Sequence, residues 1–348
     1  MESTIRLSNR PCHVPDIPAV FNVVPDKLSV IEWVLLGSYT STAFLFAFFR
    51  HWPPETIMQF ACVSSRFRIL VKWYSESLWD IDRFLSGWFQ FPLQFRETMA
   101  FTGAMISGPQ TLHFFDRLPI TPLPLDVYVS ERGLFHLART LRLQRFQFLP
   151  SSMDEPTTRL TEGILRHRRE SRSPRDTIYS RHRTFTFSRT VDPPTSYEEN
   201  MGTRVVKVYM TSGDAITEFI ESNHSTANMN FITGDRAFSM FPKTTFTRRL
   251  SVTTQFPTNY EGVPVSWLRH YAGTKFREIG KVDGPEDLTS DGEIRKSYRY
   301  VGDPTCWTIH LCGNSKTSRV DPFSVFDGPA FEVEICRTTG RALYMDLD

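Results

Sequence analysis

The chain has 348 residues, of which 40% are hydrophobic, 22% charged and 14% aromatic, and its 40 Lys+Arg against 38 Asp+Glu leave a formal charge of +2. This is globular composition in a length suited to two domains, or one large domain with a decorated end; it excludes a wholly disordered chain, a collagen-like fibre and a disulfide miniprotein. Near-neutrality also excludes a protein that coats nucleic acid over its whole surface. Only eight of the basic residues are Lys, an asymmetry that codon usage or recognition of phosphate and carboxylate by guanidinium groups would each produce. Five cysteines (Cys12, Cys62, Cys306, Cys312, Cys336) without a C-x-x-C pair, and a start at Met1-Glu2-Ser3-Thr4 in place of a basic and then apolar leader, predict a reduced protein of cytoplasm or nucleus.

Residues 1–23 hold Pro11, Pro15 and Pro18 and read as an irregular lead-in. Residues 24–98 read as a small helical domain. Asp26 is placed to cap a helix carrying Leu28, Ile31, Val34 and Leu35 at three- and four-residue spacing. The uncharged run Trp33 to Phe49 approaches membrane-spanning length. Gly37 to Thr42 interrupt it, however, which predicts a helix, a break at Leu36-Gly37-Ser38 and a second buried helix; membrane association through residues 33–49 is the alternative. After Pro53-Pro54, apolar residues from Ile57 through Val63 and Phe67 to Trp73 share one stripe, and Trp79-Asp80-Ile81-Asp82 opens a further helix.

From residue 99 strands and helices alternate, and the expected class is α+β: a mixed sheet with helices, preceded by the all-helical domain. Ala104 to Ile106 reads as a strand, Ser107-Gly108-Pro109 as a turn into a helix, Leu125 to Val129 as a second strand, and Ser130-Glu131 as the start of a helix through Leu141. Residues 150–183 accumulate Arg166, Arg168, Arg169, Arg172, Arg175, Arg181 and Arg183 around Ser173. They read as a flexible insertion, or as a basic patch for RNA, an acidic partner or nuclear import, and R-x-S-x-R is a phosphorylation pattern. Strands follow at 184–189 and 204–211, closing with residues 99–149 a domain that runs to 250. Ser212 is placed to cap a helix bearing Ile216, Phe219 and Ile220 on one face, and Met229 to Ile232 is extended before a short helix. Residues 251–348 read as a C-terminal α+β extension packed on that core, with a helix at 263–276, a polar loop at 283–291 and strands at 306–311 and 330–337.

One stretch could carry chemistry. Two-metal nucleotidyl transfer needs carboxylates that converge on Mg²⁺, and a strand reading D-h-D supplies two on one face. A glycine turn at a helix start just upstream can receive phosphates. Residues 104–129 have that layout of strand, glycine turn, helix and Asp-bearing strand, which makes Ser107, Gly108 and Asp126 the nucleotide-binding candidates and Mg²⁺ the cofactor of such an activity.

The stretch resembles the polymerase-beta-type nucleotidyltransferase superfamily, whose small members show h-S/G-G-S/T, a helix and D-h-D. The chain as a whole is similar to an expanded family of functionally uncharacterised proteins from mushroom-forming fungi. Those have an F-box-like helical start, a segment near LISGSxALxFFDR followed by SDLDLYV, and a segment near FHSTxVMNFIT-x-x-RAYxLYPxxTF-x-R. Met105 to Arg117, Leu123 to Val129 and His224 to Arg248 correspond, as does Arg299-Tyr300-Val301-Gly302-Asp303 with Trp307. The resemblance covers roughly residues 55–310. It implies a nucleotidyltransferase-like fold after an F-box-like domain, with Pro25, Leu28 and Trp79 as contacts for a Skp-type ubiquitin-ligase adaptor; packing of the helical start in cis is the other reading of those three residues.

The departures from that pattern set the functional expectation. Pro109 stands where the family has Ser or Thr, and it has no backbone N–H for a phosphate. Pro124 stands in place of the first metal aspartate, and Lys207 occupies the strand where a third carboxylate is expected, leaving Asp126 alone. One carboxylate does not hold two Mg²⁺ against their hydration shells. The expectation is therefore a non-catalytic binding or adaptor protein. A Mg-dependent nucleotidyltransferase would have to recruit Glu131 or Asp214 to Asp126. Cys306, His310 and Cys312 as a zinc site, and His224-Ser225-Thr226 as nucleophilic machinery, are weaker patterns than core packing and a helix exit.

Overall fold

The computed structural model describes residues 29–36, 41–50, 52, 54–150, 183–190, 202–223, 225–252, 277–279, 297–311, 330–335 and 343–346. By its internal contacts the chain divides into two compact units, Met1–Trp79 and Asp80–Asp348.

The first unit holds α1 (Val30–Leu36), α2 (Thr42–Arg50), α3 (Pro54–Phe60) and α4 (Ser65–Leu78). A capping box starts α1. The Ser29 backbone N–H donates to Glu32 Oε2 (3.1 Å) and the Glu32 N–H donates to Ser29 Oγ (3.3 Å). Asp26, the expected cap, lies outside the described residues. Glu32 also accepts from Ser64 Oγ (3.1 Å) and pairs with Arg66 (3.5 Å), so one carboxylate joins the starts of α1 and α4. Ser64 in turn caps α4 by accepting from the Phe67 N–H. That second cap splits the apolar stripe after Pro54 into two helices, and Val63, expected on the stripe, lies in the intervening turn at 67% exposure. Leu35, Leu45, Phe49, Ile57, Leu70 and Trp73 belong to the core of this unit, where Phe49 meets Tyr74 at 4.8 Å between ring centroids. Helix α1 stops at Leu36 and α2 begins at Thr42; among the described residues no helix is long and apolar enough to cross a membrane.

The second unit opens with α5 (Ile81–Ser86), capped by Asp80, which accepts from the Asp82 and Arg83 N–H groups. Next comes α6 (Pro92–Thr102), with Pro92 in its first turn and Gly103 at φ 67° closing it. These two helices, assigned by sequence to the helical start, fall with the sheet, α6 lying along α8. The elements that follow are β1 (Met105–Ser107), α7 (Pro109–Phe115), β2 (Leu125–Ser130), α8 (Glu131–Leu143), β3 (Gln147–Leu149), β4 (Arg183–Thr190), β5 (Thr203–Thr211) and α9 (Ala215–Ser222). Then come β6 (Asn230–Ile232), β7 (Arg236–Ser239), β8 (Leu250–Val252), β9 (Arg277–Ile279), β10 (Ser297–Tyr300), β11 (Trp307–His310), β12 (Ala330–Ile335) and β13 (Leu343–Asp346).

Eight strands form one mixed sheet in the order β11-β7-β6-β1-β2-β5-β4-β3, with β2 and β5 its parallel pair. The fold is thus α+β. Alternation sorts each central strand: Leu125, Val127 and Val129 are buried on one face and Asp126, Tyr128 and Ser130 half-buried on the other, while Val206, Val208 and Met210 alternate with Lys207 and Tyr209. Helix α8 covers the Val129 face closely, since a Cβ on Gly133 would stand 2.7 Å from Val129 Cγ2. Helix α9 covers the other face, where Phe219 packs edge-on against Tyr128 and Phe231. Each such side chain contributes about 1.5–3 kcal/mol by leaving water.

Three expectations change on this face of the chain. Asp214, not Ser212, caps α9, accepting from the Thr217 N–H (2.9 Å) and Oγ1 (3.0 Å), because Ser212 Oγ is spent on Glu218 Oε1. The short helix expected after Ile232 is strand β7, and helical turns return only at Lys243–Thr247. The C-terminal region is no mere extension, because β11 pairs with β7 as an edge of the main sheet. The helix expected at 263–276, the loop at 283–291 and the Arg-rich insertion with Ser173 lie outside the described residues.

Candidate functional site

The antiparallel pairing of β1 with β2 sets Ser107 opposite Asp126, and the parallel pairing of β2 with β5 sets Asp126 opposite Lys207 and Tyr128 opposite Tyr209. The predicted residues Ser107, Gly108 and Asp126 are therefore brought together at one end of the parallel pair. Gly108, with φ 78° and ψ −157°, turns the chain from β1 into α7, and a Cβ there would stand 2.5 Å from Asp126 Oδ2. Only glycine supplies both that conformation and the room for the carboxylate.

The roles differ from those of a phosphate-binding turn. Ser107 is buried and its hydroxyl donates to the Asn230 carbonyl at 2.8 Å, so it ties β1 to β6. Pro109 is the first residue of α7 and donates nothing. Gln110 is fully buried and its side-chain amide donates to the carbonyls of Thr121 (3.0 Å) and Leu123 (2.7 Å), which fastens the loop leading through Pro124 into β2. The segment that would receive a nucleotide is held by its own side chains.

Burial pushes the Asp126 carboxyl up to about 7, against the attraction of the Lys207 ammonium and a hydrogen bond donated by the Tyr209 hydroxyl, both of which favour the carboxylate. The same burial, with the Asp126 charge beside them, holds the phenols of Tyr128 and Tyr209 well above their ordinary range. The rings of the two tyrosines stack at 4.7 Å, one residue pair further along the strands. Lys207 and Tyr209 are the partners sequence reasoning did not assign to Asp126. Their signal was alternation: in parallel strands, residues on one face of β5 must stand beside Asp126 and Tyr128.

Glu131 and Asp214 are not brought to this end. Ser130 pairs with Thr211 at the opposite end of the parallel strands, so Glu131 starts α8 five residues from Asp126, about 16 Å along a strand at its usual rise. Asp214 caps α9 beyond the same end. Mg²⁺ requires near-octahedral oxygen coordination, and here one carboxylate faces an ammonium group and a proline replaces the other acid. Among the described residues no group of three or more His, Cys, Asp or Glu is placed to hold a metal ion. The residues present do not fit a two-metal centre.

The other candidates resolve into structure. Trp79 is 3% exposed at the C-cap of α4, donating its N–H to the Ser75 carbonyl; Pro25 and Leu28 lie outside the described residues. Cys306 sits beside a buried pair in which Arg299 Nε donates to Asp303 Oδ2 at 2.9 Å, and burial pushes its thiol up to about 12. Burial would raise Asp303, but the hydrogen bonds from Arg299 and Thr305 outweigh it and hold the carboxyl at about 2. His310 is exposed, and Cys312 and His224 lie outside the described residues. Thr226 is fully buried and its Oγ1 accepts from the Val252 N–H at 3.0 Å.

No protein-family model matches this chain, and neither curated proteins nor solved structures show a significant match to it.

Proposed function

We propose that this is a non-catalytic binding protein, a pseudo-nucleotidyltransferase scaffold carrying an F-box-like helical unit that docks a Skp-type ubiquitin-ligase adaptor. The observation that carries the reading is the pairing of Asp126 with Lys207 across the parallel strands. A lysine ammonium supplies one fixed positive charge to the carboxylate where nucleotidyl transfer would need further acids to recruit divalent ions. Pro109 and Pro124 support the same reading, since each replaces a group that would touch phosphate or metal. The reading of Asp126 as a Mg-dependent catalyst gains nothing from Glu131 or Asp214, which stand at the far end of the strands.

The docking half rests on α1. Its Glu32 and Leu35 are buried, whereas Val30, Ile31, Trp33 and Val34 are 82%, 51%, 48% and 45% exposed, an apolar surface on a seven-residue helix. A partner that covered it would gain about 25 cal/mol for each Å² of apolar surface removed from water. The test is direct mixing of the full chain with a purified Skp-type adaptor, followed by size-exclusion chromatography. A stable complex is expected, and Trp33→Glu, which changes an exposed position, should abolish it while leaving the circular dichroism spectrum unchanged. Separate elution of chain and adaptor at micromolar concentrations removes the docking function.

A further inference from the structure

On the face of the sheet away from Asp126, three arginines gather at the ends of β3, β4 and β5. Arg189 and Arg204 stand directly opposite one another in the antiparallel β4–β5 pair, a like-charge arrangement that costs stability unless something offsets it. Arg145, exposed and in the left-handed conformation at φ 60–70° typical of such turns (67°), follows the end of α8. Its charge and that of Arg204 act on Arg189 in the same direction as burial, which comes first, and all three lower the affinity of that guanidinium for its proton. Among the described residues no carboxylate pairs with Arg145 or Arg189.

The guanidinium planes are fixed by contacts that do not cancel their charge. Arg189 Nη2 donates to the Trp88 carbonyl at 2.6 Å and its plane lies over the Phe146 ring at 5.3 Å; Arg204 lies over the Trp88 ring at 5.9 Å. Arg189 Nε is buried and has no hydrogen-bond partner, a donor whose cost an arriving acceptor would remove. Two rigidly held guanidinium forks on neighbouring strands, with a third charge at the rim, match the several acceptor oxygens of a tetrahedral anion.

We propose that Arg145, Arg189 and Arg204 form a binding site for a phosphate-class oxyanion, separate from the Asp126 face. The site lies on the opposite side of the sheet: along β5, Arg204 alternates with Lys207, three residues and about 10 Å away. It does not depend on the adaptor reading, and it gives the arginine-rich composition a located use.

Inorganic phosphate is the probe, titrated into the full chain by calorimetry and by thermal melting, with sodium chloride holding ionic strength constant. Saturable binding and a rising melting temperature are expected. Arg145→Gly keeps the left-handed backbone and removes only the exposed charge, and should weaken phosphate binding by about tenfold, the effect of losing one charge-assisted contact. Arg145→Gly/Arg204→Gln should abolish it, while Asp126→Asn should bind as the unaltered chain does. Absence of saturable binding, or equal affinity in the unaltered chain and the double variant, overturns the proposal. So does binding that emerges only in Glu198→Gln/Glu199→Gln, since the chain's own carboxylates would then be the ligand.

Discussion

Asp126 concentrates the chemistry of its face in one proton. Burial raises its folded pKa to about 7, above the ordinary carboxylate value of the unfolded chain. Between about pH 4 and pH 7 the folded chain therefore retains a proton that the unfolded chain has lost, and stability falls as pH rises through that window and is level above it. Asparagine has no proton to lose. Relative to Asp126→Asn, the unaltered chain should lose stability from pH 4 to 7, by at most about 1.4 kcal/mol per pH unit, which urea unfolding of both proteins across that range would show. A constant difference would mean that Asp126 is ionised throughout. Gly108 carries the second prediction at this scale. Gly108→Ala places a methyl group against Asp126 Oδ2 in a conformation that L-residues avoid, and should destabilise the chain by about 1–3 kcal/mol in the same measurement.

Elements here are held to one another by single buried polar side chains as much as by apolar burial. Arg96 of α6 is 5% exposed; its Nε donates to the Gly234 carbonyl and its Nη2 to the Leu311 carbonyl, each at 2.6 Å, and its Nη1 pairs with Asp82 of α5 at 3.3 Å. One guanidinium thus ties two helices to the β6–β7 turn and to the end of β11. Arg96→Met keeps much of the volume but strands two buried carbonyls, and should cost about 2–4 kcal/mol by chemical denaturation. An effect below about 0.5 kcal/mol, the ordinary range for surface positions, would refute that role. The sequence patterns that located these elements were the long periodic ones. The apolar faces of α8 and α9 and the alternation of β2 and β5 were legible because burial on one face imposes a period. Short elements were not: nothing in Arg236–Ser239 distinguishes a four-residue strand from a helical turn until β6 and β11 flank it. The Ser29–Glu32 box was present as S-x-x-E and was passed over for Asp26.

For the whole molecule, composition and patterning were enough to give an α+β class, but not the division of the chain. A helical start through residue 98 is a correct reading of local periodicity; α5 and α6 nevertheless belong to the second unit, a long-range matter carried by Gly133, Gln144 and Arg96. The candidate site was half legible. Gly108 and Asp126 were found by motif, while Ser107 and Gln110 turned out to be fasteners, because a polar side chain beside a turn can serve backbone or ligand equally well until its partners are known. Lys207 was noticed as a missing acid before it was seen as the partner of the remaining one. The central claim is that this pairing leaves a scaffold without nucleotidyl transfer. It is tested most directly by incubating the full chain with labelled nucleoside triphosphates and Mg²⁺ or Mn²⁺, alongside Asp126→Asn, and measuring label transfer and pyrophosphate release. The same background signal from both proteins is predicted. Transfer above background that Asp126→Asn abolishes would contradict it.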